Sequence, residues 1–275
     1  MTSLLGRDHM KTTVFLGGGR ITAALIAGLR LAKYEQPIVV HDRNEHKLRA
    51  LRREFHVEVA GNWKSAVEQA DVLIVAVRPA SVRELLGEIA ESGVLKSSTF
   101  AVSLAAGVPL SKLKKWLGPP VRWARAMPSP VCRIRRGLTA VAFDGAVSPR
   151  QRTLVRKLFL RVGEVVELPE KQFDAFTGSF SPSHGYHALA TLAAAARAAG
   201  LEHKTALTAA AHALADGISY WRESGEELSE LLQEAATPGG TAAATMKAMD
   251  GAGYRKAVAA GLRAGVKQAR RNAKL

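Results

Sequence analysis

Three consecutive glycines, Gly17-Gly18-Gly19, lie between a compact apolar run, Thr12–Leu16, and a segment whose apolar residues recur at helical spacing, Ile21–Lys33. A glycine turn leading a buried strand into a helix is the entry to a sheet whose strands are joined through helices. The chain keeps that alternation. Pro37–His41 (PIVVH) is β-branched, Asn44–Phe55 is a charged helix candidate, and Val57–Val59 reads as a short strand. Asp71–Val77 (DVLIVAV) is the clearest buried strand; Thr99–Leu104 and Ala140–Phe143 add others, with helices around Ser81–Glu91 and Ser111–Leu117. Such alternation predicts an α/β fold with a parallel, doubly wound, Rossmann-like sheet.

After about residue 165 strand signals fade. Residues 186–216 are alanine-rich, and Glu226–Ala236, Thr241–Met249 and Gly253–Ala273 read as further helices. Small side chains at that density predict close helix packing. The boundary is expected in the stretch Leu168–Phe173 (LPEKQF), giving a Rossmann-like domain over 10–168 and an all-helical domain over 169–275. A length of 275 residues accommodates two such domains, and 47% hydrophobic against 23% charged residues excludes wholesale disorder. The single cysteine, Cys132, excludes an internal disulfide framework and a cysteine-rich zinc module. No stretch approaches the ~18 apolar residues of a membrane span. Met1–Lys11 lacks a signal-peptide core, so a cytoplasmic protein without membrane partners is expected, with residues 1–9 as an extension.

The formal charge of +15 is unevenly spread. Residues 111–161 carry 13 basic side chains and one acidic, Asp144; residues 251–275 carry seven basic and no acidic ones. A cluster such as Arg133, Arg135 and Arg136 can bind nucleic acid, but no recognition motif accompanies it, so a nucleic-acid partner is not the expectation. A solvated basic surface explains the excess, and its field also attracts phosphorylated cofactors and small carboxylates.

Four motifs carry chemistry. At Gly17, Gly18 and Gly19 the backbone can approach a diphosphate resting on the helix N-terminus that begins at Arg20 and Ile21; Thr22 replaces the third glycine of G-x-G-x-x-G. Next comes His41-Asp42-Arg43-Asn44, about 20 residues on, where a carboxylate selects the ribose hydroxyls of NAD and an arginine the 2′-phosphate of NADP. Asp42 and Arg43 pull in opposite directions, and Asp42 can instead cap the next helix. AVRPAS (Ala76, Val77, Arg78, Pro79, Ala80, Ser81) and SLAAG (Ser103–Gly107, with Ala105) follow strong strands, with RAMPSP (Arg125–Pro130) as a further loop. The last motif, Thr237-Pro238-Gly239-Gly240-Thr241-Ala242, is a turn before a helix, ready for a carboxylate or phosphate, or simply an N-cap at Thr241. The eight histidines are scattered and no metal is expected; Cys132 reads as a packed small residue.

Together FLGGGRITAALIAG, AVRPAS, VSLAAG, RAMPSP and TPGGTAAA, in that order and spacing, resemble pyrroline-5-carboxylate reductase over roughly Thr12–Ala273. The resemblance implies a Rossmann domain followed by a helical C-terminal dimerisation domain. It further implies a homodimer or higher homo-oligomer, and hydride transfer from NADP(H), or NAD(H), to the C=N carbon of a small imino acid, giving proline. On that likeness Gly17, Gly18, Gly19, Arg20, Ile21, Asp42, Arg43, Ala76, Val77, Arg78, Pro79 and Ala105 would bind cofactor, and Thr237, Gly239 and Gly240 substrate.

The chain departs from the family at the imine. Ala190 stands where an acidic residue is usual, and Ala242 where a second threonine donates to the ring nitrogen. Thr241, Ser183 or His184 would then serve as the catalytic donor. A paralogue reducing another cyclic imine, and a non-catalytic cofactor-binding regulator, are the alternatives.

Overall fold

The computed structural model describes residues 11–272; the expected extension at 1–9 lies outside them. The first part of the chain runs β1 (Thr13–Leu16), α1 (Arg20–Leu31), β2 (Ile38–His41), α2 (Glu45–Phe55), β3 (Glu58–Val59), α3 (Trp63–Gln69), β4 (Val72–Val75), α4 (Val82–Ser92), β5 (Phe100–Ser103), α5 (Leu110–Trp116), β6 (Arg122–Pro128), β7 (Gly137–Phe143), α6 (Pro149–Leu160) and β8 (Gly163–Glu167). These strands form one sheet in the order β3-β2-β1-β4-β5-β6-β7-β8. From β3 to β6 every pairing is parallel, and the order reverses between β1 and β4, which opens a crevice at their carboxyl ends.

Two features correct the expectation of a purely parallel sheet. RAMPSP is not a loop: Arg125–Pro128 completes β6. And β7 runs antiparallel to β6, because residues 129–136 hold only a 3-10 turn and are too few for a crossover helix. The last strand, β8, returns to parallel pairing through α6. Its sequence, GEVVE, is half-exposed at the sheet edge and gives little hydrophobic signal.

Central strands are apolar throughout because helices cover both faces. On one face Phe15, Val40, Ile74 and Val102 pack with Leu25, Ile26 and Leu29 of α1 and with Phe159 of α6. On the other, Val14, Leu16, Leu73 and Val75 meet Leu86 and Ile89 of α4, Leu113 of α5 and Trp123. The buried Trp123 indole donates to the Leu117 carbonyl at 2.8 Å, so no polar group is stranded there. Helix α1 lies against the turn after β6, where Gly28 faces the Cys132 carbonyl. Cys132 is buried, and that burial pushes its thiol up to about 12, so it stays a neutral packing residue.

The remaining helices are α7 (Phe173–Ser179), α8 (Pro182–Ala198), α9 (His203–Ser224), α10 (Leu228–Ala235), α11 (Thr241–Gly251) and α12 (Tyr254–Asn272). The chain forms two compact units. One holds the residues up to Phe180 together with those from Gly265; the other is Ser181–Ala264. The division falls past the Leu168–Phe173 stretch because Phe173 is buried against Ala140 and Ala142, and Gly178 packs onto Val266. Within the second unit α8 and α9 pack together, burying little beyond Ala193, Ala206 and Ala210. Tyr186, Ile218, Tyr220, Trp221, Leu228 and Leu232 remain exposed, an apolar surface of the kind that marks an interface. Among the described residues, no helix is long and apolar enough to cross a membrane.

Candidate functional site

The crevice at the carboxyl ends of β1, β2 and β4 is a cavity of about 750 Å³. Its walls include Gly17, Gly19, Asp42, Arg43, Ala76, Val77 and Arg78, so the strand topology gathers seven of the twelve residues expected to bind cofactor. The other five are not among its walls. Gly18 is buried under the turn, Arg20 is exposed at the first position of α1, Ile21 is half-buried on α1, Pro79 starts a 3-10 turn, and Ala105 is buried beyond β5.

Each glycine of the turn has its own reason. Gly17 adopts φ +108°, and a Cβ there would lie 2.6 Å from the Ala76 carbonyl oxygen, so only glycine lets β1 and β4 end side by side. Gly19 caps α1 in an extended conformation and supplies no side chain to the first-turn N–H groups. A Cβ at Gly19 would meet nothing within 4 Å. The start of α1 therefore faces open space with unpartnered donors, an anion-binding arrangement. Thr22, which breaks the glycine pattern, is fully buried and its hydroxyl donates to the Gly17 carbonyl at 2.6 Å, tying the helix to the turn.

Asp42 is not the cap of α2; the Asn44 side chain is, accepting from the N–H groups of His46 and Lys47. Asp42 instead turns inward, where Gly18 N–H donates to one carboxylate oxygen at 2.7 Å and Asn44 N–H to the other at 2.8 Å. Burial disfavours its charge, but those two N–H groups and the Lys47 ammonium at 3.4 Å outweigh it and hold the carboxyl below the usual carboxylate range. The stabilisation is thus present above the ordinary value of about 4 and lost as pH falls through the lower folded value. Asp42→Asn is expected to flatten the fall in thermal midpoint between about pH 5 and pH 3. Unchanged slopes in the two proteins would contradict this.

With Asp42 so engaged, Arg43 is the exposed group at the end of β2, and His46 and Lys47 line the cavity beside it. Ser81, from AVRPAS, lines it too, while Trp63, Leu85 and the carboxylates Glu45, Glu84 and Glu88 also line it and were not legible as site residues. Trp63 opens α3 right after the Asn62 cap, and an aromatic at the first turn after a strand is the signal that would have found it.

In the second unit, Thr237–Gly240 is a turn closed by Gly240 N–H to the Thr237 carbonyl at 2.9 Å, with Gly239 at φ +79° and Pro238 before it. It delivers the chain into α11, whose cap is Gly240 and not Thr241. Thr241 is exposed at the first helical position, above N–H groups with no acceptor inside the helix. Ser183 and His184 lie in the first turn of α8, both exposed, with the Ser183 hydroxyl 2.7 Å from that of Ser181. Ala190 lies further along the same helix. Among the described residues no three or more His, Cys, Asp or Glu side chains converge as a metal-ligand set.

Residues 12–107, which contain the cavity, match a family described as NADP oxidoreductase, coenzyme F420-dependent, and residues 170–272 match pyrroline-5-carboxylate reductase dimerisation. Pyrroline-5-carboxylate reductase of Corynebacterium melassecola is 30% identical over 254 residues, covering 90% of this chain and 93% of that one. Among solved structures, the Streptococcus pyogenes 1-pyrroline-5-carboxylate reductase superposes with a TM-score of 0.86 at 21% identity, covering 94% of this chain and 98% of that one. A Plasmodium falciparum pyrroline carboxylate reductase with NADP bound gives 0.85 at 18% identity, covering 98% and 100%. Shared fold, family matches at both ends and identity along nearly the whole length agree: the chain belongs to the pyrroline-5-carboxylate reductase family.

Proposed function

We propose that this chain reduces 1-pyrroline-5-carboxylate to proline, with NADPH as the preferred donor. The observation that carries the reading is the uncapped start of α1, walled by Gly17 and Gly19 and opening on a cleft rimmed by Arg43 and Arg78. Those groups fit a dinucleotide: the diphosphate on the α1 N-terminus, and a 2′-phosphate beside Arg43, Asn44 and Lys47. Asp42 is committed to Gly18 and Asn44, which leaves Arg43 to set the preference. NADPH supplies a hydride from C4 of its dihydronicotinamide; the imine carbon accepts it and the nitrogen takes a proton.

The protein's part is to orient, to exclude water and to place a donor near nitrogen. The Thr237–Gly240 turn and the start of α11 suit the substrate carboxylate, and Thr241, the first residue of α11, puts a hydroxyl directly after that turn. Ser183 and His184 are the alternative donors. Residues 10–168 would serve the cofactor, and 169–275 the substrate and the dimer, in which a second copy covers Tyr186, Trp221 and their neighbours. A lone, buried, neutral cysteine suits a reducing cytoplasm.

The deciding experiment follows dihydronicotinamide absorbance with 1-pyrroline-5-carboxylate. Turnover that yields proline confirms the reading; tight NADPH binding with no turnover refutes it in favour of another imine. Arg43→Ala is expected to weaken NADPH by roughly 10- to 100-fold, about 1.4–2.8 kcal/mol, while NADH changes little. Equal losses for both nucleotides would remove Arg43 from the 2′-phosphate.

A further inference from the structure

One buried charge cluster has no part in the cleft. Arg125, on β6, is 2% exposed. Its guanidinium stacks on Phe173, 4.3 Å from the ring centroid, and donates from Nη1 to Glu170 Oε1 at 2.8 Å. Nη2 stands 3.7 Å from Asp174 Oδ1. Glu170 Oε1 also accepts the Leu110 N–H at 3.1 Å, at the first turn of α5, where Pro109 offers no capping side chain. Arg125 Nε and Nη2, Glu170 Oε2 and Asp174 Oδ1 are buried without a hydrogen-bond partner.

Charges taken out of water and left half-paired are poor stabilisers; hydrophobic packing of the same volume does as well or better. What this cluster supplies is position. Arg125 lies opposite Ser103, the last residue of β5, in the β5–β6 register. The Ser103–Gly107 turn begins there, with Ala105 N–H donating to Ser103 Oγ at 3.3 Å, and the chain is caught again at Leu110 by Glu170. A third hold comes from the end of α12: Asn272 donates to the Ala106 carbonyl at 3.3 Å, and Gly107 lies so close to the Ala269 carbonyl that no Cβ fits. The turn is thus gripped at its start, middle and exit.

We propose that the pairing of buried Arg125 with Glu170 is a positioning device for the Ser103–Gly107 turn, fixing its height at the carboxyl edge of the sheet, where the nicotinamide end of the cofactor meets substrate. The turn's role as nicotinamide floor rests on the function proposed above; the bracing itself does not. The pair acts through the turn and touches no reacting atom.

The test compares Glu170→Ala with Glu170→Gln in the full-length protein. Glutamine keeps a carbonyl oxygen for Leu110 and Arg125, so it separates loss of the brace from loss of charge. Amide hydrogen exchange is the first readout. Glu170→Ala should speed exchange across residues 103–113 at least about tenfold, with central-strand protection in β1 and β4 unchanged and Glu170→Gln close to wild type. Unchanged exchange at 103–113, or loss spread evenly over the sheet, overturns the proposal. The second readout is the primary isotope effect with C4-deuterated NADPH. Glu170→Ala should lower kcat at least about tenfold and raise the isotope effect, with NADPH affinity within about twofold, because a misplaced floor slows hydride transfer itself. A kcat loss matched by lost NADPH affinity overturns the proposal. Wild-type protein inert toward the imino acid would sink the functional reading alone, and exchange at 103–113 would still decide the brace.

Discussion

Gly19→Val is expected to abolish cofactor binding while leaving the protein folded. The two effects separate because Gly19 is an ordinary place for a side chain as far as the protein is concerned. Its backbone is extended, at φ −77° and ψ −176°, which β-branched residues adopt readily. A Cβ there meets no protein atom within 4 Å. The loss of a favoured cap residue costs about 1 kcal/mol at most, a shift of a few degrees in the thermal midpoint. The space the isopropyl group fills is the space over the α1 N–H groups, where a diphosphate must come within hydrogen-bond distance. NADPH affinity should fall by at least about a hundredfold, equivalent to about 2.8 kcal/mol. Gly17→Ala is the contrasting case: positive φ and the Ala76 carbonyl make it a folding defect first. A folded Gly19→Val protein that binds NADPH normally in a fluorescence titration would displace the diphosphate from this helix end.

Gly28→Ala should be strongly destabilising, against its helix propensity. Alanine inside α1 would by propensity gain about 1 kcal/mol. The added methyl, however, lands on the Cys132 carbonyl and within 3.0 Å of Val162 Cγ1. A carbonyl in a 3-10 turn pinned between β6 and β7 has nowhere to move, so α1 must lift from the sheet it covers. A net destabilisation of about 3 kcal/mol or more is expected, lowering the thermal midpoint by roughly 5–10 °C. Gly87→Ala in α4 is the control: nothing lies within 4 Å of its Cβ, and it should stabilise by up to about 1 kcal/mol. Equal midpoints for the two variants would contradict this packing.

Much of the first unit was legible because its helices cover both faces of the sheet. Strands buried on both sides must be apolar runs, so DVLIVAV could hardly be anything else. The glycine turn was legible because close approach leaves no residue but glycine at position 17. Where a segment's conformation depends on distant partners, local pattern gave less. Arg125–Pro128 carries an arginine and a proline yet forms the end of β6, since Phe173, Glu170 and Asp174 arrive to bury the charge. Trp63 looked like one apolar residue among many until β3 and α3 brought it to the cleft. The same holds for Asp42 and Arg43, whose opposite preferences no spacing rule separates.

By itself, then, the sequence determined an alternating α/β half, a helical half, a glycine turn at the entry to α1 and the family resemblance. Each follows from local periodicity or from residues that only one backbone conformation accepts. The tertiary structure decided the reversed β7, the inward turn of Asp42 that leaves Arg43 at the cleft, and the burial of Arg125 beside two carboxylates. Those are contests between interactions of similar strength, in which the atom that happens to be within reach after folding determines which side chain is charged, paired or exposed.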